Sequence, residues 1–338
     1  MTKTFIASLM MLLSVQSYAQ TNPVELGDVH WLRNLDQAKE KSNKSGKPIL
    51  ILFQEIPGCS TCQRYGSDVM RHPMIVEAIE NEFIPLAIHN NKSGDDAKVL
   101  AYFNEPSWNN PVVRIVNAKL DDLQPRLNGD YSAPGVTDYM IHALKAIKAP
   151  VPAYLQLLAS SFSTSNQEIT FGMYCFWEGE GKLGALNGVT KTEPGYVDGH
   201  EVVKVSFDPN YISPEKLINE AGKMSCSSQI YADAKNLNQY KHINSKVTQG
   251  GNFKSDGDPQ YYLKHTEYRC VPMLSIQASR VNAAIGHASD PDQYLSPKQI
   301  AMAEYFKGHA NDGNKEAYHT TDFIIEWNKA LKSMKIKS

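Results

Sequence analysis

The sequence lacks an excess of charge of either sign. Of its 338 residues, 34 are Lys or Arg and 36 are Asp or Glu, which gives a formal net charge of -2. A protein that neutralises nucleic-acid phosphates needs concentrated Lys and Arg, and the chain has no long basic run. Because 42% of the residues are hydrophobic, the chain is also too apolar for a disordered protein. We therefore expect about two folded domains and no nucleic-acid partner.

Long hydrophobic runs are missing as well, except at the N-terminus. There, Lys3 precedes an apolar run over residues 5–15, which is too short for a bilayer span of about 20 residues. Small side chains at Ser17 and Ala19 fit a signal-peptidase site, so the pattern predicts a signal peptide over residues 1–19, cleaved after Ala19. The alternative is a buried N-terminal helix. We expect a mature chain without a membrane span, exported to the periplasm of a Gram-negative bacterium.

Cysteine is scarce. Five cysteines in 338 residues are too few for a disulfide scaffold, so their spacing matters more than their number. The ten histidines do not form a ligand cluster and the glycines do not form a phosphate loop, so we predict neither a metal nor a cofactor. Disulfides persist in exported proteins, which makes thiol redox chemistry plausible here.

The hydrophobic periodicity divides the chain into two parts. Helical and strand patterns alternate from Trp31 to Ala149, which predicts an α/β domain over residues 20–149. Pro150, Pro152 and a polar run over residues 160–166 then predict a linker over residues 150–167. A second α/β or α+β pattern predicts a domain over residues 168–285. Helical signals over residues 286–338 predict a C-terminal extension packed on that second domain.

The first chemical motif is Cys59-Ser60-Thr61-Cys62. It follows an apolar strand and opens a helix, where unpaired N–H groups and the helix dipole stabilise a thiolate. The second cysteine lies one turn later, close enough to resolve a mixed disulfide. Two other interpretations are half of a zinc site, for which no second pair exists, and an inert structural disulfide. We favour a redox-active dithiol.

Several short motifs around this dithiol resemble the thioredoxin family. They are Trp31-Leu32, Ala38-Lys39, Gly46-Lys47-Pro48, Phe53, Cys59 to Cys62 and Asn81-Glu82-Phe83. The resemblance implies a thioredoxin-like fold, with Pro111 as the cis-proline that faces the two cysteines and helps to bind substrate. Pro57-Gly58 departs from the Trp that many thioredoxins carry before the first cysteine.

The second chemical motif is Cys175, at a predicted strand-to-helix junction and followed directly by Phe176 and Trp177. A sulfur at a helix N-terminus with an apolar wall beside it suits a methyl group or a thioether. The surrounding sequence resembles the A-type peptide methionine sulfoxide reductases. The resemblance rests on the run over residues 169–180 and on Leu186-Asn187-Gly188-Val189, Pro194-Gly195-Tyr196, Gly199-His200-Glu201, residues 212–217 and Thr266-Glu267-Tyr268-Arg269.

This second resemblance implies a ferredoxin-like α/β domain and a role for each matching residue. Cys175 attacks the sulfoxide sulfur, while Phe176 and Trp177 hold the substrate methyl group. Glu201 is the acid that protonates the leaving oxygen, and Tyr268 hydrogen-bonds that oxygen. Such an acid is needed because a sulfoxide oxygen is a poor leaving group until it is protonated.

The chain departs from the reductase pattern at several positions. Tyr174 and Glu178 replace glycines on either side of the Cys-Phe-Trp motif, and Leu263 stands where the family has Asp. A loop that carries a further substrate-binding Tyr is missing between Tyr196 and Glu201. These differences predict either an altered pocket or a reductase fold whose Cys175 is not catalytic.

Two cysteines remain as candidates to resolve the sulfenic acid that the reaction leaves on Cys175. Cys270, two residues after Tyr268, is the preferred resolving thiol, and Cys226 is the second choice. Either one is otherwise a buried apolar cysteine, or the two pair with each other.

Together the motifs predict an exported peptide-methionine (S)-S-oxide reductase. In this interpretation Cys59 and Cys62 recycle Cys175, oxidised proteins or methionine sulfoxide are the substrate, and an external thiol reductant supplies electrons. The main alternative is a periplasmic thiol–disulfide oxidoreductase whose second domain binds proteins without chemistry. A third is a non-enzymatic protein that binds thioethers, or copper held by Met and Cys.

Overall fold

The computed structural model describes residues 22–224 and 229–335. The predicted signal peptide over residues 1–19 lies outside the described residues, and so does Cys226. Within the described part of the chain, no helix is both long enough and apolar enough to cross a bilayer.

The first half forms a four-stranded mixed sheet flanked by helices. Its strand order is β2-β1-β3-β4, with β1 parallel to β2 and antiparallel to β3. In chain order, the elements of this half are α1 (Leu35–Ser45), β1 (Ile49–Gln54), α2 (Ser60–Arg64), α3 (Pro73–Glu82), β2 (Ile84–His89), α4 (Asp95–Tyr102), β3 (Val112–Val116), β4 (Leu127–Asn128) and α5 (Ala133–Ala146).

Strand β1 explains why this half folds in layers. All of its six residues are buried, as expected for a strand with helices on both faces. Because side chains alternate along a strand, Leu50 and Leu52 join one hydrophobic cluster, while Ile49, Ile51 and Phe53 join another on the opposite face. The predicted α/β architecture is confirmed.

The predicted linker differs from the structure. Helix α6 (Ala153–Ser161) occupies it and buries Tyr154, Leu155 and Leu158. The Tyr154 hydroxyl donates a 2.9 Å hydrogen bond to Glu82 of α3. Pro152 is the residue before the helix, so the proline begins a helix here and does not start an open linker.

The second half forms a six-stranded sheet in the order β10-β6-β7-β5-β8-β9. Strands β6 and β7 are joined by a two-residue turn, Asp198-Gly199, in which both residues have positive φ. Its elements are β5 (Gln167–Gly172), α7 (Phe176–Gly184), β6 (Val189–Val197), β7 (His200–Phe207), α8 (Pro214–Lys223), β8 (Ile230–Ala232), α9 (Leu237–Ile243), β9 (Val247–Gln249) and β10 (Lys254–Ser255).

The C-terminal helices contact both halves, whereas the sequence predicted packing on the second half alone. Helix α11 packs on α7 and β6, and α12 packs on α3 of the first half. The Lys298 backbone N–H donates a 2.8 Å hydrogen bond to the Glu77 carboxylate, and one hydrophobic cluster joins residues of both ends of the chain. The helices are α10 (Tyr261–Lys264), α11 (Ser275–Gly286), α12 (Pro297–Gly308) and α13 (Phe323–Lys335).

Candidate functional site

The first thiol site lies at the carboxyl end of β1. Cys59 is exposed and directly precedes α2, and Cys62 is buried in the first turn of that helix. The two Sγ atoms are 3.6 Å apart. The Cys62 thiol donates a 2.7 Å hydrogen bond to Oδ1 of Asn110. Both thiols are therefore free and within reach of a shared disulfide.

The two thiols have opposite electrostatic surroundings. The backbone N–H of Cys62 donates to the Cys59 sulfur and lowers the pKa of Cys59. Burial raises the pKa of Cys62 to about 12. An attacking thiol needs to ionise and to be accessible, and Cys59, exposed and with the lower pKa, meets both needs better than Cys62. The pair can thus use Cys59 to attack and Cys62 to resolve the mixed disulfide.

Two further residues shape this site. The Asn110–Pro111 peptide bond is cis, and Asn110 contacts the buried thiol through its side chain. At Gly58, a Cβ atom would lie 2.6 Å from the Cys62 Cβ and would also collide with the Glu55 carbonyl. This close approach is the physical reason for a glycine where many thioredoxins have Trp.

The dithiol also lies near one carboxylate. Among the described residues, Glu55, Cys59 and Cys62 are the group whose potential ligand atoms all lie within 4.8 Å of one another. A structural zinc ion takes four protein ligands, so this group of three is incomplete for such a site.

The second thiol site joins the end of β5 to the start of β7. Cys175 is partly buried and directly precedes α7. The Glu201 carboxylate accepts a 2.9 Å hydrogen bond from the backbone N–H of Phe176, the residue after Cys175. The Glu201 carbonyl accepts a second, 2.8 Å hydrogen bond from the N–H of Met173. Cys175 and Glu201 are thereby held at the same end of the sheet.

An aromatic wall continues from this point. The Phe176 and Trp177 rings stack with centroids 5.6 Å apart, and Tyr196 contacts Phe176 at 5.5 Å. On the other side, Tyr261 stacks on Trp177 at 4.0 Å with an interplanar angle of 15°. The structure therefore brings together Cys175, the two expected aromatic residues and Glu201, and adds two tyrosines.

The structure gives Tyr268 and Cys270 different surroundings from those that the sequence predicted. The Tyr268 hydroxyl donates a 2.7 Å hydrogen bond to Asp292, and its ring packs on the cluster shared with the first half. Cys270 is buried in that same cluster, whereas Phe176 belongs to a different one. Burial raises the pKa of the Cys270 thiol. The resemblance placed both residues beside Cys175, whereas the short 3-10 helix Glu267–Cys270 packs them into the cluster shared with the first half.

Sequence reasoning missed Tyr262 and Tyr196. By sequence alone, Tyr261 and Tyr262 are most simply packing residues, yet burial raises the pKa of Tyr262 and the Cys175 thiol adds to the rise. Tyr196 pairs directly with Glu201 across β6 and β7. Burial, then the Asp256 and Glu201 carboxylates, raise its pKa. The signal for Tyr196 was Asp198-Gly199, since a two-residue turn predicts that pairing.

Comparison with known proteins agrees with both resemblances. Residues 30–118 match a family described as thioredoxin-like. The chain also aligns with several peptide methionine sulfoxide reductases. It thus combines a thioredoxin-like domain with a segment similar to those reductases.

Three relatives illustrate the extent of the similarity. The MsrA of Pelagibacter ubique is 42% identical over 65 residues, covering 14% of this chain and 44% of that protein. The MsrA of Vibrio vulnificus is 34% identical over 80 residues, covering 19% and 38%. A structure titled DsbH oxidoreductase matches 40% of this chain and 96% of its own, with a TM-score of 0.31 and 16% identity. The chain spans less than half the length of these two reductases.

Proposed function

We propose that the protein is an exported oxidoreductase that reduces peptide methionine S-sulfoxide at Cys175 and is recycled by the Cys59–Cys62 dithiol. The observation that carries the proposal is the position of the Glu201 carboxylate, which accepts the N–H of Phe176 beside both Cys175 and the aromatic wall. The names of the aligned relatives point to the same substrate class.

The reaction balances with groups at this site. The Cys175 thiolate attacks the sulfoxide sulfur, and the sulfoxide oxygen receives a proton from Glu201. The oxygen is transferred to the cysteine, which leaves a thioether and a sulfenic acid on Cys175. Phe176 and Trp177 hold the methyl group. We assign the hydroxyl role expected of Tyr268 to Tyr262, because its ring lies over Gly181 of the helix that follows Cys175 and its neighbour Tyr261 stacks on Trp177.

Recycling needs a second thiol, which attacks the sulfenic sulfur, releases water and forms a disulfide. Cys59 then reduces that disulfide, and Cys62 closes a Cys59–Cys62 disulfide. An external thiol reductant restores the pair. Fusion of the two domains raises the effective concentration of the dithiol to the mM scale. Export to an oxidising compartment is part of this proposal.

We propose Cys226, the second choice from the sequence, as the resolving thiol in place of Cys270. Cys270 is buried among the C-terminal helices, and its thiol lies 4.0 Å from the Ala310 carbonyl. Gln229, three residues after Cys226, accepts a 2.7 Å backbone hydrogen bond from Gly172, three residues before Cys175. Gln229 is thus a described residue beside the strand that leads to Cys175, and this contact supports testing Cys226, which lies outside the described residues.

Two serine variants test this assignment. We expect Cys226→Ser to keep the first turnover but to accumulate sulfenic acid on Cys175, trapped with dimedone and measured by mass spectrometry. Cys270→Ser is the matched control and should recycle like the unaltered protein. Accumulation in Cys270→Ser alone would restore the original assignment.

The decisive test of the proposed function is sulfoxide reduction by purified protein with free and peptide methionine sulfoxide and dithiothreitol. Cys175→Ser should lower the rate at least about a thousandfold, since it removes the nucleophile. Cys59→Ser should keep the first turnover and stop further turnovers when electrons arrive through the dithiol. If the unaltered protein does not reduce methionine sulfoxide, the proposal is refuted.

A second function is supported by the opposed pKa shifts of Cys59 and Cys62. That asymmetry suits thiol–disulfide exchange with protein substrates even if Cys175 is not catalytic. Reduction of disulfide-bonded peptides that persists in Cys175→Ser, in a protein inactive on sulfoxide, would favour this function.

A further inference from the structure

Glu180 is a buried acid that the chemistry above does not use. It lies on α7, five residues after Cys175, and its exposed fraction is 0%. Burying a carboxyl group is costly unless it is hydrogen-bonded. The partners of Glu180 therefore indicate what the position contributes.

Those partners come from the segment before α10. Oε2 of Glu180 accepts a 2.8 Å hydrogen bond from the Gln260 backbone N–H. Gln260 has left-handed backbone angles, φ 60° and ψ 51°, which residues other than glycine adopt infrequently. The carboxylate thus holds an uncommon turn at the point where the chain enters α10.

Buried polar side chains around Thr192 also hold Glu180 and Gln260 in place. The Thr192 hydroxyl lies 3.5 Å from Oε1 of Glu180, and it is 3.3 Å from the Ser279 hydroxyl. The Gln260 side chain donates to the Thr192 carbonyl at 3.4 Å. Thr192 of β6 therefore contacts Glu180 directly, and Ser279 of α11 contacts Thr192 in turn.

The turn that Glu180 holds carries the two tyrosines of the second thiol site. Tyr261 stacks on Trp177 at 4.0 Å. The Tyr262 ring occupies a slot over two glycines: a Cβ at Gly286 would lie 2.6 Å from the ring, and one at Gly181 would lie 3.3 Å from it. A shift of the turn therefore moves both rings relative to Cys175.

We propose that Glu180 is a positioning residue, which ties the helix of Cys175 to the turn before Tyr261 and thereby holds the Trp177–Tyr261 stack and Tyr262 beside the thiol. It acts as a hydrogen-bond acceptor for the Gln260 backbone N–H and does not touch substrate. The kinetic consequence rests on the proposed function, whereas the structural consequence does not.

The test compares Glu180→Met, which keeps side-chain size but removes the acceptor, with Glu180→Gln, whose amide oxygen still accepts from Gln260. Glu215→Gln, an exposed site on α8, is the matched control. The first readout is the near-UV circular dichroism of the Trp177–Tyr261 stack, defined as the difference between the unaltered protein and Trp177→Phe. The second readout is the first-turnover rate with peptide methionine sulfoxide. The rate of Cys175 alkylation is measured in parallel.

We expect Glu180→Met to lose the stack signal and to reduce sulfoxide about tenfold more slowly, with alkylation of Cys175 within about twofold of normal. Glu180→Gln should recover most of both, and Glu215→Gln should change neither. A Met variant that keeps the stack, or a Gln variant as impaired as Met, would overturn the proposal. If no sulfoxide is reduced by any form, the proposed function fails while the stack signal still decides the role of Glu180.

Hydrogen exchange covers the case in which Glu180→Met does not fold. In the unaltered protein, the Gln260 amide should exchange as slowly as those inside α7, because the buried Glu180 carboxyl group accepts its hydrogen bond. Exchange at the rate of an open loop would contradict the proposal without any variant.

Discussion

The two thiol sites differ in how far apart along the chain their components lie. Cys59 and Cys62 belong to a single strand-to-helix connection, to which a distant segment adds the Asn110 side chain. The Cys175 site is surrounded by Glu201, Tyr196 and the Tyr261–Tyr262 pair, which come from two strands and a short C-terminal helix. The first site is mostly local, whereas the second exists only when distant segments pack correctly.

The sites also differ in what accompanies the reactive sulfur. At the first, a buried thiol lies 3.6 Å from an exposed one, which suits electron transfer between sulfurs. At the second, a carboxyl group and aromatic rings surround a partly buried thiol, which suits proton donation to a bound oxygen. Both sites have a cysteine directly before a helix, so the difference between their reactions arises from the groups that surround each sulfur.

Removal of the acid gives the largest expected effect on this comparison. We expect Glu201→Gln to lower the first-turnover rate of sulfoxide reduction about 100-fold or more, because the leaving oxygen loses its proton donor. Glu193→Gln, on the neighbouring strand and paired with Lys191, is the matched control and should stay near normal. Dithiol-dependent disulfide reduction should be unchanged in both. An equal loss in both variants would mean that the second site does not depend on Glu201 in particular.

The dithiol asymmetry predicts an intermediate effect. At pH 7, iodoacetamide should modify Cys59 at least about tenfold faster than Cys62, because thiolate is the reactive form. The lowered pKa of Cys59 keeps it reactive below the usual thiol range, and a pKa of about 12 keeps Cys62 protonated from pH 6 to 9. Peptide mass spectrometry of the reduced protein measures both rates. Equal rates would remove the assigned order of attack.

Glu180 should also give the stability of the protein a pH dependence, whose effect on the chemistry of the two sites is the least direct. Burial raises its pKa to about 8, and the Asp258 carboxylate adds to the rise, while backbone N–H groups oppose it. A raised carboxyl pKa means that the stabilisation is complete below the unfolded value of about 4.5 and is lost as pH rises through about 8. Tyr318, whose own pKa is raised by burial, faces the same region.

We therefore expect the free energy of unfolding of the unaltered protein to fall, relative to Glu180→Gln, between about pH 5 and 8. The slope is at most about 1.4 kcal/mol per pH unit for one proton. Urea unfolding of both proteins across this range measures the difference, in which the contributions of other groups cancel. Parallel pH profiles would show that Glu180 keeps an ordinary pKa.

Elements with clear periodicity and end signals were predicted well from the sequence. The amphipathic pattern from Leu35 to Ser45, followed by Gly46, predicts a helix, and α1 is observed as Leu35–Ser45, ending at Gly46 with φ 74°. The apolar run over residues 112–116 predicts a strand, which is observed at those bounds. Helix α6 was not predicted, because Pro152 and the following serines also fit a linker. Helix α11 was missed since buried polar residues such as Gln277 and Asn282 obscure its periodicity.

The site residues likewise divide into those that the sequence predicted and those that it did not. Cys59, Cys62, Cys175 and the Phe176–Trp177 wall could be identified from short motifs, because they are contiguous in sequence. Tyr262 could not be separated from packing residues, since its relation to Cys175 arises from the turn held by Glu180. Tyr268 and Cys270 lie only a few residues farther along, yet they pack in another cluster.

By itself, the sequence determined the α/β class, the dithiol at the end of β1 and the cysteine before α7, because local propensity and contiguous motifs specify them. The tertiary structure alone decided which carboxyl and hydroxyl groups surround each sulfur, and that the C-terminal helices join both halves. The physical reason is that burial and hydrogen bonding between distant segments depend on how the whole chain packs, which no local pattern encodes.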